Sequence, residues 1–224
     1  MRHETKFSIS EFTINEVKKV IMSHPAVFRE IHSKRRINNI YFDDVNLTSF
    51  TDNVEGERDR KKVRIRWYGD LFGVCKDPAF EIKYKQGLLG WKENLKIEDF
   101  YLDRYTNVNI KNIFKTKFKN LLFQKHSLGM SSLIPTLINS YQRTYYLSFD
   151  KKYRITLDNN LLFYTTNPVI NFFKTFIDQD KLILELKYDK KDFYNANVIS
   201  NSLPFRITKS SKYVIGIERL RHWK

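Results

Sequence analysis

Five short segments carry long charged side chains at alternate positions: Arg2, Glu4 and Lys6 in RHETKF; Arg64 and Arg66 in VRIRW; Glu81, Lys83 and Lys85 in FEIKYK; Arg154 and Asp158 in YRITLD; Glu185 and Lys187 in LELKY. A spacing of two puts such residues on one face of a β-strand. The planar fork of arginine matches phosphate oxygens in bidentate geometry, and lysine adds a point charge, so faces rich in both suit a chain of phosphates. Glutamate recurs two residues from lysine. In a phosphate site a carboxylate makes sense as a ligand for Mg²⁺ or Mn²⁺, hard cations held by one or two carboxylates and completed by substrate oxygens. The chemistry these residues suit is therefore a metal-assisted grip on a triphosphate or polyphosphate. Each residue also has a plainer reading. Arg64 and Arg66 could pair with carboxylates, Glu185 could form a salt bridge, Glu4 and Glu81 could orient Lys6 and Lys83, and Asp158 could orient Arg154.

Other chemistries find little support. No Gly-x-x-x-x-Gly-Lys-Ser/Thr run exists, and Gly87-Leu88-Leu89-Gly90 has neither its spacing nor its lysine. His3, His24, His32, His126 and His222 form no zinc-like spacing, and no Ser/His/Asp or Cys/His arrangement stands out. The aromatics Tyr41, Phe42, Trp67 and Tyr84 could stack on a base, although at strand spacing they suit a core equally well. The single cysteine, Cys75, excludes an intramolecular disulfide and agrees with a reducing, cytoplasmic setting. The N-terminal MRHETKFSISEF has no signal-like apolar core, and no stretch approaches the roughly 18–20 apolar residues that cross a bilayer. Forty Lys and Arg against twenty-five Asp and Glu give a formal charge of +15, which favours a polyanionic partner. The abundance of Lys, Asn, Ile, Phe and Tyr also fits an AT-rich coding sequence, so the excess alone identifies no partner.

These charged faces need strands to carry them. Period-2 alternation marks strands at 2–7, 63–67, 80–85, 153–158 and 184–188, with further ones at about 37–43, 139–149 and 160–166. Helical periodicity is confined to 13–22, 97–104, 109–124, 168–176 and 192–200, with a last helix from about Ser211, where Gly216 costs roughly 1 kcal/mol relative to alanine. No Pro/Gly/Ser-rich linker divides the chain, so a single domain over 1–224 is expected. The fold class that follows is α+β and β-dominated: an antiparallel sheet with helices packed outside. Closing about eight strands into a barrel would remove exposed edges and turn the charged faces inward. Burying unpaired charge costs several kcal/mol per ion, so pairing and a bound anion must offset it.

Taken in order, RHETKF, YFDD, VRIRWYG, FEIKYKQG, YQRTYY, YRITLD, LELKY and SSKYVIGIE resemble the VTC domain of the triphosphate tunnel metalloenzymes, a superfamily that includes CYTH-type triphosphatases and adenylate cyclases. The resemblance runs from Arg2 to about Glu218. It implies an eight-stranded antiparallel tunnel barrel and ATP-dependent polyphosphate polymerisation with Mn²⁺ or Mg²⁺. Carried over by motif, Lys6, Arg64, Arg66, Lys83, Arg143 and Arg154 would hold the nucleotide triphosphate and the growing chain, helped by Lys85 and Lys187. Glu185 would be the principal metal ligand, with Glu4 and Glu81 beside it, and Ser211 and Lys212 would meet phosphate where the last helix starts. Two departures matter. Arg2 stands where tunnel triphosphatases open with Glu-x-Glu-x-Lys, and the regulatory domain and membrane helices of the eukaryotic polymerases are missing. The resemblance therefore implies ATP or another triphosphate and polyphosphate as partners, with no nucleic acid. It leaves open a separate membrane partner and the oligomeric state. The competing functions are a metal-dependent triphosphatase and a non-catalytic polyphosphate or nucleic-acid binder.

Overall fold

The computed structural model describes residues 2–87, 89–104, 110, 132–166 and 175–221. Its strands are β1 (Arg2–Ile9), β2 (Arg29–Asp43), β3 (Asp59–Tyr68), β4 (Gly73–Cys75), β5 (Ala79–Gln86), β6 (Leu89–Lys96), β7 (Phe100–Leu102), β8 (Ile134–Leu147), β9 (Arg154–Thr165), β10 (Thr175–Asp178) and β11 (Leu182–Asp189). Its helices are α1 (Ile14–Met22), α2 (Thr48–Glu55), α3 (Phe193–Ser202) and α4 (Lys212–Arg221). The main sheet follows the hydrogen-bonded order β1-β11-β9-β8-β2-β3-β5-β6, with β10 beside β9, while β4 and β7 form a separate pair. Eight strands lie on the main path, as expected, but among the described residues no pairing of β1 with β6 closes it.

By contacts the chain forms two compact units, Met1–Arg36 with Tyr141–Leu161 and Ile177–Ser211, and Ile37–Ser140 with Leu162–Phe176 and Lys212–Lys224. In the first, the period-2 pattern gives a clean division of faces. Phe7, Ile9, Tyr153, Ile155, Leu157, Leu184, Leu186 and Tyr188 enter one core together with Val17 and Ile21 of α1 and Ala196 and Ile199 of α3. Glu4, Lys6, Arg154, Thr156, Asp158, Glu185 and Lys187 alternate with them and so take the opposite face. Helix α1 starts with a capping box, in which Glu16 N–H donates to Thr13 Oγ1 (3.4 Å) and Thr13 N–H donates to Glu16 (2.7 Å). In the second unit, Ile40, Phe42, Val63, Ile65, Trp67, Phe80 and Ile82 form the core with Cys75, Phe100 and Leu102 of the small sheet. Arg64, Arg66 and Glu81 alternate with that set. Burial pushes the Cys75 thiol up to about 12, so it packs as an apolar group.

Several elements differ from the sequence pattern. The expected helix at 97–104 is instead the strand β7, in which Phe100 and Leu102 are buried around the exposed Tyr101. The expected strands at 153–158 and 160–166 are one strand, β9, interrupted at Asn160. Its φ of 51° is left-handed, a conformation asparagine tolerates, and it breaks the alternation. Helix α2 has almost no apolar periodicity to reveal it. The two aspartates of YFDD start it, Asp43 accepting from the N–H groups of Ser49 (2.9 Å) and Phe50 (3.0 Å), and Asp44 from that of Thr48 (3.1 Å). The helix expected at 109–124 lies outside the described residues except for Ile110, as does 168–174 of the one expected at 168–176. Residues 175–178 belong to β10.

Gly216 reverses its expected meaning. A Cβ there would come within 2.6 Å of Leu137 Cδ2 and Phe163 Cδ1, both fully buried side chains, so glycine lets α4 lie directly on β8 and β9 within the second unit. Gly216→Ala should therefore destabilise the protein by about 1–2 kcal/mol, because overpacking outweighs the gain in helix propensity of about 1 kcal/mol. The urea midpoint reads this directly, and a rise in stability would show that the helix does not need the close approach.

Candidate functional site

Register assembles the charged groups of the first unit. Lys6 stands opposite Glu185, which stands opposite Thr156, and in the next row Glu4 stands opposite Lys187, which stands opposite Arg154. Glu185 is the hub. Its carboxylate lies 2.7 Å from Lys187 Nζ, 3.5 Å from Lys6 Nζ and 3.5 Å from Arg143 Nη2, and it accepts from Thr156 Oγ1 at 3.4 Å. Glu4 joins through Lys6 (2.9 Å) and, more loosely, Lys187 (3.9 Å). Burial and Glu185 push the Glu4 carboxyl up, but Lys6 and Lys187 outweigh them and hold it below its ordinary value. Burial alone would lower the Lys6 ammonium; Glu185 and Glu4 outweigh burial and raise it.

Arg143 is committed differently. Its Nε and Nη2 donate to Asp158 Oδ1 and Oδ2 at 2.5 and 2.6 Å, a two-pronged pair with Asp158 fully buried. Asp158 thus orients Arg143, not Arg154, because Arg154 stands beside Lys187 and is solvent-exposed at the end of the face. The segment before α4 runs along β1, with Thr208 N–H donating to the Lys6 carbonyl (2.8 Å) and Lys6 Nζ donating to that of Ser210 (3.2 Å). Beside it, the buried hydroxyls of Thr208 and Ser210 have no hydrogen-bond partner among the described residues. Ser211 follows directly in the chain. Lys212, the first residue of α4, belongs to the second unit.

In the second unit, Tyr41, Arg64, Glu81 and Asn94 form one row, Lys62, Lys83 and Lys92 the next, and Arg60 and Lys85 a third. Arg64 donates through Nε (2.7 Å) and Nη2 (2.5 Å) to one oxygen of Glu81 and through Nη1 to Tyr41 Oη (3.3 Å). Arg66 is less committed: Nε donates to Asn39 Oδ1 at 3.0 Å, and Nη1 lies 3.7 Å from Glu81. Arg64 is thus held by a two-donor pair with Glu81, whereas Arg66 makes one hydrogen bond and a longer approach to the same carboxylate. Glu81 is ringed by Arg64, Arg66 and Lys92, not aimed at Lys83. Burial pushes its carboxyl up, but Arg64 and Arg66 outweigh that and hold it at about 2. Lys83 and Lys85 are exposed, Lys83 in a row with Lys62 and Lys92 and Lys85 in a row with Arg60. Asn139, bonded to Asn39 at 2.8 Å, keeps a buried Nδ2 donor with no partner among the described residues.

Sequence spacing missed Asn39, Asn139, Thr208 and Ser210, because short polar residues lack the charged alternation that drew notice to the rest, and Lys92, because β6 has no alternation that marks it as a strand. Of the four aromatics, Phe42 and Trp67 are core. Tyr41 stacks on Tyr213 (5.2 Å), and Tyr84 stacks on Trp91 (5.0 Å). No group of three or more His, Cys, Asp or Glu capable of holding a metal occurs among the described residues. Glu4 and Glu185, which share Lys6 and Lys187, form a carboxylate pair that fits a hard cation only when phosphate supplies further oxygens.

The strand order and the helix-backed, charge-faced sheets define a β-dominated α+β fold. The structure is similar to that of the PH1819 protein of Pyrococcus horikoshii OT3, with 13% identity, 99% of each chain covered and a TM-score of 0.55. It is also similar to two proteins each described as a "putative adenylate cyclase": one from Vibrio parahaemolyticus (10% identity, 96% of this chain and 97% of that one, TM-score 0.51), the other from Bacillus halodurans (13%, 96% and 95%, 0.51). No curated protein sequence matches the chain. The family model of the VTC domain matches residues 1–221, and the chain belongs to that family.

The Glu81 carboxyl gives a pH signature. Because its folded value, about 2, lies below the ordinary 4.5, its stabilisation is complete above about pH 4.5 and is lost as pH falls toward 2. Glu81→Gln should lower stability at pH 7 by about 3–5 kcal/mol, since it strands the buried Arg64, and should flatten this part of the acid-denaturation profile. An unchanged profile in the variant would assign the acid loss to other carboxylates.

Proposed function

We propose that this chain is a metal-dependent, ATP-using polyphosphate polymerase, which transfers the terminal phosphoryl group of a nucleoside triphosphate onto a polyphosphate end. The observation that supports this reading best is the cluster around Glu185. Lys6, Lys187 and Arg143 converge on one carboxylate, beside the hydroxyls of Thr208 and Ser210, which have no partner among the described residues. Cations already held in place, with spare donors next to them, are what a phosphate chain needs. Arg66 and Asn139 offer the same combination in the second unit.

In this reading Lys6 and Lys187 bind phosphate oxygens, while Arg143, fixed by Asp158, supplies a rigid positive wall. Glu4 and Glu185 would hold Mn²⁺ or Mg²⁺ together with those oxygens, and the cation would supply neutralisation of charge on the phosphates. Phosphoryl transfer asks mainly for positioning and charge stabilisation. Hydrolysis also asks that a water lose a proton. Glu4, Glu81, Asp158 and Glu185 each pair with a cation, and none of the described histidines, His3, His24 and His32, joins either cluster. A phosphate acceptor, already ionised, needs no such base, which favours the polymerase over the triphosphatase.

Incubated with ATP and Mn²⁺ or Mg²⁺, the protein should produce ADP and a ladder of polyphosphate on a stained gel, and excess chelator should stop it. Stoichiometric free phosphate without a ladder would move the assignment to a triphosphatase; tight polyphosphate binding without turnover would move it to a binder. Arg66→Ala should weaken triphosphate binding by about 1.5–3 kcal/mol with little effect on the melting temperature, whereas Arg64→Ala should act first on stability. Calorimetry of both variants separates the roles, and equal losses of affinity with unchanged stability would place Arg64 on the substrate too.

A further inference from the structure

The first unit carries an exposed apolar corner that neither its core nor its charged face uses. The turn after α1 (23–28) and the turn between β8 and β9 (148–153) are joined by a hydrogen bond from Phe149 N–H to the Ala26 carbonyl, 3.1 Å. Around this junction Phe149 is 72% exposed, Met22 65% and Val27 45%. Both turns are fastened in place. His24 accepts the Ala26 N–H through Nδ1 (3.0 Å), and its Nε2 lies 2.6 Å from Ser202 Oγ. Val27 holds a left-handed φ of 50°, a conformation that costs a β-branched residue energy and persists only where the surroundings enforce it. In the other turn, Ser148 N–H donates to the Tyr153 carbonyl (2.9 Å) and Ser148 Oγ to Asp150 (2.6 Å). The apolar side chains are thus presented outward by ordered turns.

Cations collar the patch. Lys19 lies in the last turn of α1, Arg29 opens β2, and Lys151 and Lys152 follow Phe149; all four are exposed, and none makes an ion pair among the described residues. Asp150 is turned toward Ser148 and the N–H of Lys152 (3.1 Å). Further along β2, burial together with the nearby charges of Lys18 and Arg36 holds the Lys34 ammonium below its ordinary value.

We propose that this corner docks on a membrane surface bearing anionic headgroups, with Phe149, Met22 and Val27 entering the interfacial layer while Arg29, Lys151 and Lys152 meet headgroup phosphates. Apolar and aromatic side chains ringed by Lys and Arg match both layers of such a surface. A soluble phosphate polymer would use the cations and leave Met22 and Val27 in water. Three apolar side chains fall well short of the roughly 800 Å² per partner of a stable protein interface. No helix among the described residues is long and apolar enough to cross a membrane.

The test is co-sedimentation of the whole chain with phosphatidylcholine vesicles, with and without phosphatidylserine, at low and high salt. Phe149→Ser and the double variant K151E/K152E alter only exposed turn positions, and circular dichroism verifies their folding. The chain should sediment with phosphatidylserine-containing vesicles alone and be released by salt, and each variant should reduce partitioning by about tenfold or more. The proposal is overturned if the unmodified chain stays in the supernatant, or if both variants sediment as it does. It is equally overturned if Phe149→Ser has no effect while K151E/K152E abolishes binding, which would leave surface charge alone. Self-association by light scattering that Phe149→Ser removes, without vesicle binding, would assign the patch to a second copy and overturn it too.

Discussion

Two buried guanidinium–carboxylate pairs, Arg143 with Asp158 and Arg64 with Glu81, set the terms for the charged faces. An arginine can be brought this far out of water only if a carboxylate and further polar partners accompany it, since each uncompensated ion costs several kcal/mol. Asp158 is fully buried, and it meets Arg143 through both oxygens. Burial alone would lower the Arg143 guanidinium, but Asp158 outweighs it and keeps the group charged. Each pair then acts as a fixed post from which looser cations extend: Lys6 and Lys187 in the first unit, Arg66 and Lys92 in the second. Under the proposed function those outer cations would be the ones to bind an anion, because their contacts are longer, more exposed or fewer.

Packing on the opposite faces holds these posts in register. In the second unit the chain of support is traceable residue by residue. Asp43 starts α2 through two backbone N–H groups and accepts from Tyr213 Oη at 2.6 Å; Tyr213 stacks on Tyr41, whose hydroxyl accepts from Arg64. Burial and Asp43 together raise the Tyr213 hydroxyl, so it remains a donor at any working pH. The α4 helix reaches this position because Gly216 admits Leu137 and Phe163. One missing side chain on a helix is thereby linked, through Tyr213 and Tyr41, to the orientation of an arginine on β3.

Arginine–carboxylate pairs form the rigid part of the candidate site and lysines the adaptable part. Carboxylates committed to arginine are poor proton acceptors, and Glu81 shows this in its depressed value. What remains adjustable is the lysines, whose flexible stems let one ammonium serve two carboxylates, as Lys6 does for Glu4 and Glu185. A phosphate entering this face would exchange lysine–carboxylate contacts for lysine–phosphate contacts without disturbing the arginines beneath. That exchange is less costly than creating a charged site anew, because most of the desolvation has been met during folding.

Local alternation was enough to mark β1, β2, β3, β5, β8, β9 and β11 and to show which of their faces is charged, but not β4, β6, β7 or β10. Alternation is a local property: once residues 63–67, 80–85, 153–158 and 184–188 are strands, the charged residues must share faces. Helices α1, α3 and α4 were legible for the same reason, from periodic apolar residues. Partnership was not. Which carboxylate holds Arg143, whether Arg64 or Arg66 is the freer cation, and which short polar residues complete the face all depend on strand order and register. These bring together residues such as Lys6 and Glu185 that lie far apart in the chain. Gly216 makes the contrast plainest. Its local propensity argues against a helix, and only the approach of Leu137 and Phe163, fixed by tertiary packing, explains why no larger residue fits there.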